Sequence, residues 1–283
     1  MNTNSLWKDA FFRLTKDKLA VVSLIIVLLY FIIALLSSLG ILASGWAQEV
    51  GASNLAPSLE HLFGTDIFGR SVFMKVIRGT QVAMSVGVAA SLIAIPIGVT
   101  LGALAGYFGG WVDDFVTWLY TTFSSVPNIM LLISITLILG KGIFSVYVAL
   151  GLTSWVHLCR LIRGEVLKHR EREYVQAAAA IGGGHLRKLF RHILPNVSHI
   201  IIINTSMQFQ VAIKSEVILS YLGLGVQGEP SWGTMIDDAK LELVRGVWWQ
   251  LAGATLAMFF ILLALNILGD ALRDALDPKL KGK

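Results

Sequence analysis

Six stretches of this chain run for at least 18 residues without a single Lys, Arg, Asp or Glu: 19–42, 79–110, 115–140, 142–159, 193–213 and 246–269. The fifth continues in pattern to residue 222 apart from Lys214 and Glu216. A helix crossing the hydrocarbon core of a bilayer needs roughly 20 apolar residues. With no water there to satisfy its backbone, each stretch must close its own hydrogen bonds, so helices are expected. Barrel strands would be shorter and would alternate in polarity, which these do not. The spacing predicts an all-α polytopic membrane protein with six transmembrane helices. Only 14% of the residues are charged, against about 25% in soluble domains.

The first stretch invites a second reading, because Gly45, Trp46 and Ala47 resemble a small-residue cleavage site. Its 24 apolar residues exceed the roughly 7–15 of a signal-peptide core, so a retained anchor helix is the reading adopted.

Six spans leave both termini on one side, and the distribution of Lys and Arg chooses which. With the N-terminus inside, the inner segments hold 16 of the 23 basic residues and the outer loops hold six. Lys214 remains within span five. Both termini are therefore expected in the cytoplasm. The formal charge of +5 sits in a few inter-span loops rather than on a nucleic-acid-binding face, so no nucleic-acid partner is expected. The lone Cys159 cannot build a disulfide framework and is read as a buried thiol. No His/Cys cluster has zinc spacing, so neither a metal nor a cofactor is expected.

Within the spans, Ala90, Ala94, Gly98, Gly102 and Gly106 recur every fourth residue of span two. Small residues on one face let helices approach closely, and packing within the chain is favoured over a dimer seam. Pro96 and Pro127 predict kinks. Span five is polar around most of its circumference. Asn204, Gln208 and Ser215 share one arc, Gln210 and Lys214 another, and Thr205 and Glu216 a third. These residues either line a wet path through the bundle or, for Lys214 and Glu216, snorkel to the outer interface. Asp66 and Arg70, four apart, are read as a local helical pair. Trp111, Trp248 and Trp249 are read as an interfacial belt.

The segment 160–192 between spans four and five is too long for a tight turn. Residues 170–181 read as a short helix containing Ala177, Ala178, Ala179 and Ala180, which are strong helix formers. Gly182, Gly183 and Gly184 end it, and a second, basic helix with Arg187, Lys188, Arg191 and His192 follows. On physical grounds alone this is a basic loop resting on anionic lipid headgroups.

A resemblance adds a different reading. Glu173-Tyr-Val-Gln-Ala-Ala-Ala-Ala-Ile-Gly182, then Leu186-Arg187 and Phe190-Arg-His-Ile-Leu-Pro-Asn196, resembles the cytoplasmic signature of ABC importer permeases of the dipeptide/oligopeptide (and nickel) transport family. Further similar segments occur in order: Phe63-Gly-Thr-Asp66 with Gly69-Arg70, residues 160–167 and 170–174, 219–227 and 230–233, and 266–278. Departures are Gln176 and Ala179 where the family commonly has Glu and Arg, the glycines at 183 and 184, Leu62, Ser71 and Lys214.

The resemblance implies a multi-pass permease of the bacterial inner membrane, with residues 1–58 an N-terminal anchor unit and 59–283 the permease core. It implies that the segment between spans four and five is a coupling helix, engaging an ATPase through Glu173, Gln176, Ala177, Ala178, Gly182 and Arg187. The implied partners are two ATP-binding subunits, a second permease subunit, an extracytoplasmic substrate-binding protein and membrane lipid. The solute is expected to be a di- or oligopeptide, the alternatives being nickel or another small solute on the same architecture, or a membrane scaffold without transport. No G-x-x-x-x-G-K-[ST] phosphate loop occurs in the chain, so ATP hydrolysis is expected in separate subunits. The expected path residues are Asn204, Gln208, Lys214, Ser215 and Glu216.

Overall fold

A computed structural model describes residues 12–276. Among these the chain is helical, with two isolated β-bridges and no strand. Helix α1, Lys18–Ser38, is started by Asp17, whose carboxylate accepts the Leu19 and Ala20 N–H groups, a standard N-cap. Most of its large apolar side chains are exposed, Ile25 and Leu28 among them, which suits a lipid-facing helix. The Tyr30 hydroxyl ties it to the rest by donating to the Ala257 carbonyl at 2.8 Å.

Helix α2, Val72–Phe108, is capped by Ser71. Its 37 residues span about 55 Å at 1.5 Å per residue, well beyond a hydrocarbon core of about 30 Å. It starts seven residues before the expected span and carries Lys75 and Arg78 in its first turns. Pro96 lies inside the helix without ending it.

The expected third span, 115–140, is not one helix. Gly110–Ser125 (α3) and Asn128–Leu139 (α4) meet at 89°. A proline disfavours helical geometry in the residue before it, and Val126 is extended at φ −99°, ψ 134°. Helices α5, Ile143–Thr153, and α6, Trp155–Arg170, together run on eleven residues past the expected end of span four. The inter-span segment therefore begins at Glu171 rather than at 160. It contains α7, Glu173–Ala180, after which residues 185–193 lead through a π-helical stretch into α8, Leu194–Tyr221. Helix α9, Trp232–Leu243, opens with a Ser231–Thr234 capping box, and α10, Trp249–Leu276, closes the described chain.

Among the described residues, four helical stretches are long and apolar enough to cross a membrane: α1, α2, α5–α6 together, and α10. The bent α3–α4 pair makes five. Helix α8, expected as a further span, is 28 residues long but falls outside that set because of its amides, hydroxyls and charges.

The stripe of small residues on α2 is a seam within the chain. A Cβ on Gly98 would lie 2.8 Å from the Trp155 carbonyl oxygen, and one on Gly106 would lie 2.6 Å from that of Arg163. Ala90 and Ala94 are fully buried along the same stripe. Two further apolar clusters position the functional regions. Val72, Met84, Phe209, Trp232, Met235 and Ile261 pack α2, α8, α9 and α10 together. Tyr107, Ile162, Val166, Val175, Leu189 and Val197 seat α7 on the ends of α2, α6 and α8.

Candidate functional site

Three regions concentrate chemistry, one at each end of α2 and one between them. At the C-terminal end of α2 lies α7. Val175 and Ala178, three apart and so on one helical face, are each 4% exposed against the body of the chain. Glu173, Gln176, Ala177, Gly182 and Arg187 are exposed. Of the six residues expected to meet a partner, Ala178 alone faces inward. The Gly183 N–H donates to the Ala178 carbonyl at 2.9 Å, and Gly182 turns the chain with φ +83°, a conformation that favours glycine. Outside the helix, the Tyr107 hydroxyl and His185 Nδ1 are 3.0 Å apart, and Arg170 donates to the Tyr107 carbonyl at 3.3 Å. Sequence reasoning did not single out Ile181, Leu186 and Phe190 as contacts. They are 87%, 62% and 55% exposed, three large apolar side chains bordering α7. The sequence carried no clear signal for them, because the same segment also supplies apolar residues, Val175 and Leu189, that are buried in the core.

Between the two ends, a cavity of about 490 Å³ lies at the α3–α4 break. Asn204 and Gln208 line it, together with Asn128, Ser154, His157 and Arg160. The Asn204 amide donates back to the Ile200 carbonyl at 2.8 Å, whereas the buried Gln208 Nε2 has no partner among the described residues. The other three expected path residues lie elsewhere. Lys214 is exposed. Ser215 and Glu216 are buried, and Glu216 accepts the Ser220 hydroxyl at 2.6 Å on the side of α8 approached by α9. That approach is close, since a Cβ on Gly233 would lie 2.4 Å from the Val217 carbonyl oxygen. The missed cavity residues follow from Pro127: an interrupted apolar segment is the best sequence pointer to a transport site. Above the cavity, Arg163 holds Asp113 with two hydrogen bonds, fixing α3 to α6.

At the N-terminal end of α2, Asp66 is fully buried. Its Oδ1 accepts the Phe68 and Arg70 N–H groups, each at 2.9 Å. Its Oδ2 accepts Arg70 Nε at 2.8 Å and Lys75 Nζ at 3.0 Å. The Asp66–Arg70 pair belongs to a turn closed by Gly69, φ +71°, and not to a helix. Burial pushes the Asp66 carboxyl up, but Lys75, Arg70 and the backbone donor outweigh it and leave it below the ordinary carboxylate value. Lys75, 3% exposed, also donates to Gln250 Oε1 at 2.7 Å, joining α2 to α10. Asp238 and Glu242 of α9 face this cluster, and burial raises both carboxyls. Among the described residues the buried Glu242 carboxylate makes no close hydrogen bond, and only the Ile67 backbone N–H and the Lys75 charge act to lower it. Trp249, expected in an interfacial belt, is buried here and donates to the Thr65 carbonyl at 2.8 Å. Trp111 and Trp248 are exposed.

Residues 98–282 match the binding-protein-dependent transport system inner membrane components. Residues 5–57 match the N-terminal transmembrane domain of oligopeptide transport permease C. The chain is 37% identical to the dipeptide transport system permease protein DppC of Alkalihalophilus pseudofirmus, over 98% of this chain and 91% of that one. It is 36% identical to the oligopeptide transport system permease protein OppC of Bacillus subtilis over the same shares. It is 34% identical to the glutathione transport system permease protein GsiD of Pectobacterium atrosepticum, over 97% of this chain and 92% of that one.

Proposed function

Because the chain belongs to the family of binding-protein-dependent transport system inner membrane components, we propose that it is a permease subunit of an ATP-driven peptide importer. The observation that carries this reading is similarity over nearly the whole chain to dipeptide and oligopeptide permeases. It resides in the bacterial inner membrane. Six spans with both termini in the cytoplasm fit the distribution of Lys and Arg, with α8 the polar span that faces the path rather than lipid.

In this reading α7 is the coupling helix. Its outward face, Glu173, Gln176 and Ala177, together with Gly182 and Arg187 just beyond its end, seats in one of two ATP-binding subunits, flanked by Ile181, Leu186 and Phe190. Ala178 acts from the inner face, holding the helix on its seat. A second permease completes the path, and an extracytoplasmic binding protein delivers the solute to the end of the molecule where Asp66 and α9 lie. A ligand moves such an equilibrium only through different affinities for its two states. ATP supplies the difference at α7, and the loaded binding protein supplies it at the other end.

The test is purification from mild detergent with and without Ala177→Asp and Gly182→Asp. The ATP-binding subunit and second permease should accompany the wild-type chain, and the ATP-binding subunit alone should be lost from the variants. A folded wild-type chain that emerges without partners would return the segment to the lipid-bound reading.

A further inference from the structure

We propose that the cavity at the α3–α4 break receives the carboxylate end of the transported peptide, with Arg160, His157 and the Gln208 amide as its recognition set. The proposal rests on the peptide-import reading above and assigns a chemical role within it.

The cavity is rich in donors and lacks negative charge. Among the described residues no Asp or Glu lines it, and the only formal charge on its wall is that of Arg160. That guanidinium is not neutralised: it donates to the Ser124 hydroxyl at 2.7 Å and lies 4.7 Å from the centre of the Tyr120 ring. Among the described residues no carboxylate forms an ion pair with it. Arg163, one turn along the same helix, shows the contrast, since Asp113 engages it twice. Arg160 is exposed at the inner end of span four, so its unpaired charge is open to an incoming anion.

Two more features point the same way. Among the described residues Gln208 Nε2 is a buried donor without an acceptor, and a buried polar group left unpaired is a deficit that a ligand's oxygen would correct. Asn128, the first residue of α4, lines the cavity, so the partial positive charge of that helix terminus falls there. His157 is exposed on the wall and supplies a donor in either protonation state. At about 490 Å³ the space is within the usual range for small ligands, about 300–1,000 Å³. A divalent metal would want several carboxylate, thiolate or imidazole ligands; here it would meet one imidazole and an arginine.

The experiment is uptake by the complete transporter in proteoliposomes, with one substrate-binding protein at saturating concentration throughout. A tripeptide with a free C-terminal carboxylate is compared with its C-terminal amide. Arg160→Gln should lower uptake of the free acid about tenfold, the effect of losing one hydrogen bond to a charged group, and leave the amide unchanged. Arg160→Glu should invert the preference. Uptake of the amide reports folding, assembly and coupling, so a variant that fails generally would lower both. An acid-to-amide ratio that neither variant changes, while the amide is still taken up at the wild-type rate, would overturn the proposal alone. Uptake of neither peptide by the wild type would overturn the peptide-import reading, and this proposal with it.

Discussion

Gly102 on α2 and Cys159 on α6 meet backbone to backbone: a Cβ on Gly102 would stand 2.5 Å from the Cys159 carbonyl oxygen. The same spacing recurs one turn to either side, at Gly98 against Trp155 and at Gly106 against Arg163. Helix α6 carries His157 and Arg160 into the cavity and leads on to α7, so this seam sets the distance between the two functional regions. Gly102→Val should therefore cost about 1–3 kcal/mol, the usual penalty of overpacking, and lower the unfolding temperature in detergent. Gly164→Ala is the control. It lies on α6, where a Cβ meets nothing within 4 Å, and it should be neutral or stabilising by up to about 1 kcal/mol.

Asp66 and Lys75 form a buried ion pair with unequal support. Without Lys75, Asp66 keeps Arg70 and two backbone donors. Without the Asp66 charge, Lys75 keeps Gln250 and an Asp238 oxygen 3.7 Å away. Breaking a buried pair costs about 3–5 kcal/mol when a charge is left uncompensated, so Asp66→Asn should destabilise more than Lys75→Met. The pH dependence follows from the lowered carboxyl. Its contribution is complete above the ordinary value of 3.8 and is lost as the pH falls through the lower folded-state value. Melting curves of wild type and Asp66→Asn should converge in acid; a gap independent of pH would refute the charge-based account.

Glu242 should behave in the opposite sense. Its carboxyl is raised by burial, so ionisation disfavours the folded state as the pH rises above its ordinary value of 4.5. Glu242→Gln does not titrate. It should match the wild type in acid and exceed it by about 1 kcal/mol at neutral pH, the order of one unsatisfied buried polar group. A neutral-pH melting temperature below that of the wild type would show that the carboxylate has a partner in the assembled membrane protein.

The all-helical, membrane-spanning character of the chain and the short helix α7 were legible because lipid imposes a length rule and glycine and alanine carry local conformational meaning. The α2 seam was legible for the same reason, since a four-residue repeat of small side chains has one geometric use. Other features depend on what stands opposite. Nothing local to Lys75 announces that Asp66 and Gln250 will bury it, and the neighbours that bury Glu216 while Lys214 stays exposed belong to α9, more than a dozen residues away. Pro127 signalled a kink, but its conversion into a right-angle break depends on α4 packing beside α5 through Leu132 and Val146. Trp249 looked interfacial by type and is buried because Thr65 offers its indole N–H an acceptor.

Ala177 and Ala178 are chemically identical neighbours, one exposed and one buried on adjacent faces of α7, and this gives the last prediction. Ala178 is 4% exposed and sits among residues that anchor the helix, whereas Ala177 is exposed. Ala178→Leu must force a larger side chain into the buried face that Ala178 shares with Val175. It should lower thermal stability by about 1–3 kcal/mol and loosen α7, which hydrogen exchange of residues 173–183 would register. Ala177→Leu should leave both the melting temperature and exchange within the small range usual for surface changes, about 0.5 kcal/mol. It should nevertheless uncouple ATP hydrolysis from uptake in the assembled transporter, because only the outward face can meet the motor. If Ala177→Leu transports normally while Ala178→Leu alone fails, α7 is a structural brace and the partner contact lies on Ile181, Leu186 and Phe190.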